Sequence, residues 1–143
     1  RKGPWARAAS DAGADIYVSH GQPTLMGVEA YGGGLILYGL GNFICQTKTE
    51  PGRYPADVWQ SVLAEVVIGD EGVKEVTFTP VVLDSGEQGP LFLETRGFPE
   101  VADVETGRSI LDRLIGLSAP YETSFHLSGG RATLLLSEQT GAN

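Results

Sequence analysis

The stretch DIYVSHGQPTLMGVEAYGGGLILYGLGNF, residues 15–43, decides how the chain folds. Asp15 to Ser19 and Leu35 to Tyr38 are short, nearly continuous apolar runs, the pattern of strands buried on both faces of an α/β sheet. Between them lies a hairpin-like segment in which Gly32-Gly33-Gly34 marks a tight reversal, with Glu29 at the end of a short strand before it. His20 follows the first run directly, at the place where a strand end delivers side chains to a cleft. It is either a metal ligand or a strand-end polar residue bonded to loop backbone.

Outward from this stretch the elements are legible one by one. Upstream, Pro4 to Gly13 is an alanine-rich helix with Pro in its first turn and Gly at its end. Downstream, a Thr-, Lys-, Glu-, Pro- and Gly-containing loop spans Gln46 to Tyr54. Ser61 to Ile68 and Val73 to Leu83 then form a hairpin across Gly69-Asp70-Glu71-Gly72, with clear alternation from Val76 to Val81. Asp84 to Pro99 reads as a loop. Val104, Ile110, Leu111, Leu114, Ile115 and Leu117 recur at helical spacing, predicting an amphipathic helix that ends between Gly116 and Ser118. Ser124 to Leu127 and Arg131 to Leu136 predict a second hairpin, and the polar residues 137–143 a frayed tail. With no repeat and no long linker, residues 1–143 are expected to form one strand-rich mixed α/β unit with an N-terminal and a longer C-terminal helix.

Composition excludes some partners. The 143 residues carry a formal net charge of -8, and no cluster of Lys and Arg offers a footprint for a phosphate backbone, so nucleic acid is not an expected ligand. No run of about 18 apolar residues predicts a membrane-spanning helix, and no signal-peptide pattern opens the chain. The chain begins at Arg1, without an initiator Met, and runs directly into a helix. That is expected of a chain whose N-terminal part was removed or lies elsewhere.

The remaining candidates are few. Asn42, flanked by Gly39, Gly41 and Phe43, sits where backbone can approach a ligand closely; the plainer alternative has it capping a turn with Phe43 packed below. Cys45 follows Phe43-Ile44 in an apolar run, which favours a buried inert thiol over a nucleophile. Glu29 offers a carboxylate that orients a neighbour or is simply solvated. Lys48, Arg53 and Tyr54 offer a short basic loop to an anionic substrate, or a solvated surface. His126 alternates with Phe125 and Leu127 in the last hairpin and reads as structural.

Three blocks in order, Ala12-Gly13-Ala14-Asp15 through Ser19-His20-Gly21, then Gly27-Val28-Glu29-Ala30-Tyr31, then Tyr38-Gly39-Leu40-Gly41-Asn42-Phe43, resemble the C-terminal half of the CapA-like poly-gamma-glutamate capsule synthesis family. That family's pattern runs DAGAD, a GH-containing loop ending in PH, GIE and YSLGNF. The resemblance continues through Pro80, Gly107-Arg108, Leu111, Leu114, Leu117-Ser118 and Thr123, and covers residues 7–136. It implies the α/β sandwich of the calcineurin-like metallophosphoesterases, of which this chain would supply the later half, its partner being the N-terminal half of the same domain. It implies one or two divalent ions, Mn, Zn or Fe, with His20 as a ligand, Glu29 orienting His20, and Asn42 at the site. It also implies bacterial origin and a cell-surface or extracytoplasmic location. The family's second loop histidine aligns with Pro23 and the proline before it with Gln22, a departure that bears on the second metal.

Three functions fit these features. The chain is part of a metal-dependent hydrolase acting on a phosphoester or an amide-linked glutamate polymer; or a binding or assembly module for a polyanionic polymer or a protein, its catalysis lost; or a purely structural half that completes a sheet.

Overall fold

The computed structural model describes residues 3–45, 47–50, 52–83, 94 and 96–139. Helix α1, Gly3–Asp11, starts with Pro4 in its first turn and ends where Gly13 takes a φ of 102°. A small sheet follows, made of β1 (Ile16–Val18), β2 (Val28–Tyr31) and β3 (Gly34–Leu37) in the order β1-β3-β2. β1 runs parallel to β3, whereas β2 and β3 form an antiparallel hairpin. Its turn needs Gly32 and Gly33, at φ 58° and 83°, a region that side chains with a Cβ rarely enter.

The apolar run of β3 has the expected cause. All four of its residues are buried, and they alternate between two packing partners. Leu35 and Leu37 join the large core, while Ile36, with Tyr38 just beyond the strand, packs against Ala6 of α1.

The second sheet contains β4 (Gln60–Gly69), β5 (Gly72–Val82), β7 (His126–Ser128) and β8 (Arg131–Leu135) in the order β4-β5-β8-β7, with the two-residue β6 (Glu100–Val101) also paired to β5. Both predicted hairpins are present, β4 with β5 and β7 with β8. Helix α2, Val104–Ser118, lays Ile110, Leu111 and Leu114 into a core shared with Val28, Leu35 and Leu37 of the small sheet and Val62, Val76, Phe78 and Leu134 of the large one. Asp103 caps α2: its side chain accepts hydrogen bonds from the Thr106 hydroxyl (2.7 Å) and from the Thr106 and Glu105 amides (3.0 and 2.9 Å). The Thr106 hydroxyl bond, with the amide bonds, holds the Asp103 carboxyl below the usual carboxylate range. The chain is therefore mixed α/β and strand-rich, with two sheets and two α-helices among the described residues.

Some expectations change. Cys45 is half-buried, and Phe43 and Ile44 beside it are 48% and 68% exposed, so the apolar run they share is a rim and not a core segment. Ser137 and Glu138 belong to a short 3-10 turn after β8. Gln139 follows it and bonds to the backbone of Ser124 and Leu135, so this stretch is tied down; residues 140–143 lie outside the described residues. Of the loop read from Asp84 to Pro99, residues 84–93 and 95 lie outside the described residues, as do 46 and 51 of the loop before Tyr54.

Candidate functional site

β1 and β3 are parallel, so their carboxyl ends open on the same side, the side on which α/β sheets bind ligands. His20 leaves the end of β1 after Ser19, whose amide donates to the Leu37 carbonyl at 2.9 Å. Asn42 leaves the end of β3 through Gly39-Leu40-Gly41. The two side chains line one cleft of ≈ 540 Å³, walled by Gly21, Pro23, Phe43 and, from β4, Leu63 and Ala64. His20 is exposed there.

The loop geometry explains how Asn42 is held. Asn42 Nδ2 donates to the Val58 carbonyl at 3.1 Å, while Oδ1 takes no hydrogen bond among the described residues. Asn42 thus fixes the loop through its amide nitrogen while it lines the cleft. Gly41, at φ 81°, lies so close to β4 that a Cβ there would stand 2.9 Å from Ser61 Cβ and 3.1 Å from the Gln60 carbonyl oxygen. Behind this wall Trp59 stacks under the Arg96 guanidinium, 4.4 Å from ring centroid to Cζ, and Arg96 also donates to the Thr49 carbonyl. The pairing of Arg96 with Trp59 carries no local sequence signal, since the two lie far apart along the chain. Asp57 Oδ1 and Ser61 Oγ are buried without a hydrogen-bond partner among the described residues.

Glu29 stands elsewhere. It lies opposite Ile36 on the α1 face of the small sheet, is 2% exposed, and its carboxylate is engaged on both oxygens: Oε1 by Arg7 Nε at 2.9 Å and Nη2 at 2.5 Å, Oε2 by the Tyr38 hydroxyl at 2.5 Å. The expectation that Glu29 orients His20, or is simply solvated, is corrected accordingly: it anchors α1 to the sheet. Its hydrogen bond raises the Arg7 pKa, and burial, followed by the bond to Glu29, pushes Tyr38 well above the ordinary tyrosine range. Tyr38 also stacks on Tyr121, with ring centroids 4.9 Å apart, and Arg7 sits 4.9 Å over the Tyr31 ring.

Lys48, Arg53 and Tyr54 are exposed on their loop, Tyr54 tilted against Trp59, and do not belong to the cleft wall. His126 Nε2 lies 2.6 Å from Glu138 Oε2 on the surface, and His126 does not line the cleft.

As a metal site the cleft fits in kind but not in number. An imidazole and an amide oxygen suit a borderline divalent ion, yet catalytic zinc takes three protein ligands. No group of three or more His, Cys, Asp or Glu side chains able to hold a metal is gathered among the described residues. Further ligands would have to come from other residues of the polypeptide. No described helix is long and apolar enough to cross a membrane.

Residues 2–47, which include α1, the small sheet and the cleft residues His20 and Asn42, match the family described as "Bacterial capsule synthesis protein PGA_cap". The chain is 34% identical over 86 residues to the PGA biosynthesis protein CapA of Bacillus subtilis, covering 60% of this chain and 21% of that protein. To the capsule biosynthesis protein CapA of Bacillus anthracis it is 32% identical over 89 residues, covering 60% and 20%. An uncharacterized Sinorhizobium fredii protein, y4sH, is 29% identical over 156 aligned positions that cover 82% of this chain and 33% of the relative. The chain thus spans between a fifth and a third of the length of these relatives. Motif order, the family match over residues 2–47 and the two Bacillus relatives agree in making this chain similar to part of the CapA-like proteins.

Proposed function

We propose that this segment supplies one wall of the active cleft of a CapA-like metal-dependent hydrolase that serves the synthesis or retention of a bacterial capsule polymer. The observation that carries the reading is the convergence of His20 and Asn42 on one cleft at the carboxyl ends of the parallel strands β1 and β3. In this reading His20 offers its imidazole to a divalent ion and Asn42 Oδ1 to the ion or the substrate. A divalent ion bound there would supply Lewis acidity toward a phosphoryl or carbonyl oxygen and acidify a bound water. The expected substrates are a phosphoester or the amide bonds of a glutamate polymer, and the remaining ligands come from the rest of the polypeptide.

A second reading is favoured by Gln22 and Pro23, which follow His20 in the cleft wall and are not ligands for a borderline metal. It makes the protein a binding or assembly module for an acidic polymer. Elemental analysis of the full-length protein and of its His20→Ala variant separates the two. The hydrolase reading expects about one or two Mn, Zn or Fe atoms per molecule, and at least about a tenfold loss of metal affinity in the variant. Full-length protein that takes up no metal from excess divalent ions, while retaining acidic polymer, would sink the hydrolase reading and leave the module.

A further inference from the structure

Arg96 is 2% exposed, and burying a guanidinium is costly unless its contacts offset the lost hydration. Its contacts gather segments that the sequence keeps apart. The guanidinium carbon lies 4.4 Å from the centroid of the Trp59 ring, a side chain buried in its turn, and Nη1 donates to the Thr49 carbonyl. The next residue continues the tie. The Gly97 carbonyl accepts the Cys45 amide at 3.4 Å, and the Gly97 amide donates to the Leu83 carbonyl at 2.5 Å. The Leu83 amide in turn donates to the Trp59 carbonyl at 2.8 Å, which closes the ring of contacts. Glycine is required at 97, where φ is 85° and a Cβ would stand 2.7 Å from the Cys45 carbonyl carbon.

This clamp reaches the cleft by two routes. Trp59 ends the 3-10 turn Ala56–Trp59, and Val58, the residue before it, offers the carbonyl that holds Asn42 Nδ2 at 3.1 Å. Gly97 holds Cys45, just beyond Asn42-Phe43-Ile44, so the rim that lines the cleft is fixed at both ends. Neither Arg96 nor Trp59 lines the cleft itself. We propose that Arg96 is a positioning residue of the cleft: stacked on Trp59 and tied to Thr49, it fixes the turn that orients Asn42. It thereby sets how tightly a ligand is held at His20 and Asn42 without touching that ligand. A lysine at 96 would keep the charge but lose the planar face that stacks on the indole. The inference rests on the reading under Proposed function only in taking a divalent ion as that ligand.

Two readouts on the full-length protein test this. The first is the pair of Asn42 side-chain amide protons, observed by NMR in protein isotope-labelled at asparagine nitrogen and assigned by their loss in Asn42→Asp. One proton of the pair is bonded to the Val58 carbonyl, so the two are expected to be well separated in shift. In Arg96→Ala the pair should move to the shifts of a free side chain, and in Arg96→Lys part of the way. Ser118→Ala, which destabilises the end of α2 without touching the clamp, controls for a merely structural effect and should leave the pair in place. The second readout is titration with Mn²⁺, whose Kd is expected to rise at least about tenfold in Arg96→Ala and to stay unchanged in Ser118→Ala. A pair that Arg96→Ala leaves in place, or that Ser118→Ala moves equally, overturns the proposal, and so does a moved pair with an unchanged Kd. Full-length protein that binds no Mn²⁺ removes the metal reading alone, and the Asn42 pair then decides the inference by itself. Where Arg96→Ala fails to fold, Arg96→Lys carries both readouts.

Discussion

At the scale of single residues, the group that departs most from its sequence reading is Glu29. A carboxylate that is 2% exposed costs stability unless it is paired, and here Arg7 and Tyr38 pair it. Neither partner is visible from the sequence, because Arg7 belongs to α1 and Tyr38 follows β3, and only the fold brings them together. The placement of His20 and Asn42 at strand ends on one cleft is legible, because each follows an apolar strand within a motif. Replacing Arg7 by Ala leaves the buried carboxylate with one donor, and an expected loss of about 1–3 kcal/mol, read as a lower urea midpoint at unchanged slope. No change would mean that solvent reaches Glu29 and replaces the guanidinium. Tyr38 makes the same cluster sensitive to alkali. Its folded-state pKa lies above the unfolded value near 10, so the protonated phenol contributes in full below about pH 10 and less as pH climbs toward the folded value. Stability is therefore expected to fall above about pH 10, and Tyr38→Phe to flatten that alkaline limb while lowering stability at neutral pH. A limb unchanged in the variant would assign the alkaline loss to other groups.

At the scale of elements, period carried the sequence reading. β4, β5 and α2 announce themselves by alternation or by helical spacing, because each has one face on the core over ten or more residues. β6, two residues long, has no period to detect. The Phe43-Ile44-Cys45 run misleads for a related reason: it is apolar because it rims a cleft, and periodicity cannot separate rim from core. How α2 is seated on the small sheet was equally hidden. Its last residue, Ser118, is fully buried, its hydroxyl donating to the Leu114 carbonyl at 2.7 Å and accepting the Val28 amide at 2.9 Å. Thr123 donates to the Val28 carbonyl at 2.9 Å, so one residue of β2 is satisfied on both sides by side chains from the end of α2 and the turn after it. Gly27 allows this approach, since a Cβ there would come 2.4 Å from the Leu117 carbonyl oxygen. Ser118→Ala strands the buried Val28 amide, with an expected cost of about 1–3 kcal/mol in chemical denaturation. Ser118→Thr or Ser118→Cys, which keep a polar atom, would not be neutral controls in so tight a seat; Thr123→Ser, which keeps the hydroxyl, should cost less than Ser118→Ala.

At the scale of the whole molecule, the two sheets share one core with α2 and also meet along a backbone seam. Leu40 bridges to Leu25 on one side and accepts the Val62 amide of β4 on the other, so the chain leaving β3 is tied to the second sheet, and the next residue, Gly41, lets it turn there. The seam is also the floor of the cleft, because Leu40, Gly41, Asn42 and Val62 line it. Whatever binds there therefore rests on the junction of the sheets. Gly41 is constrained twice, by its φ of 81° and by the approach of Ser61 Cβ and the Gln60 carbonyl that a Cβ would meet at 2.9 and 3.1 Å. Gly52, at φ 78°, has nothing within 4 Å of such a Cβ and carries the backbone constraint alone. Gly52→Ala is accordingly expected to cost about 1–2 kcal/mol from the left-handed conformation. Gly41→Ala should cost that and about 1–3 kcal/mol more for forcing β3's continuation off β4. Thermal unfolding of the two variants side by side measures the difference directly. Equal losses would show that the seam yields without strain and that the sheets are held together by the α2 core alone. A larger loss at Gly41 would instead show that the close approach of the two sheets fixes the cleft, and would make the Asn42–Val58 hydrogen bond the next contact to weaken.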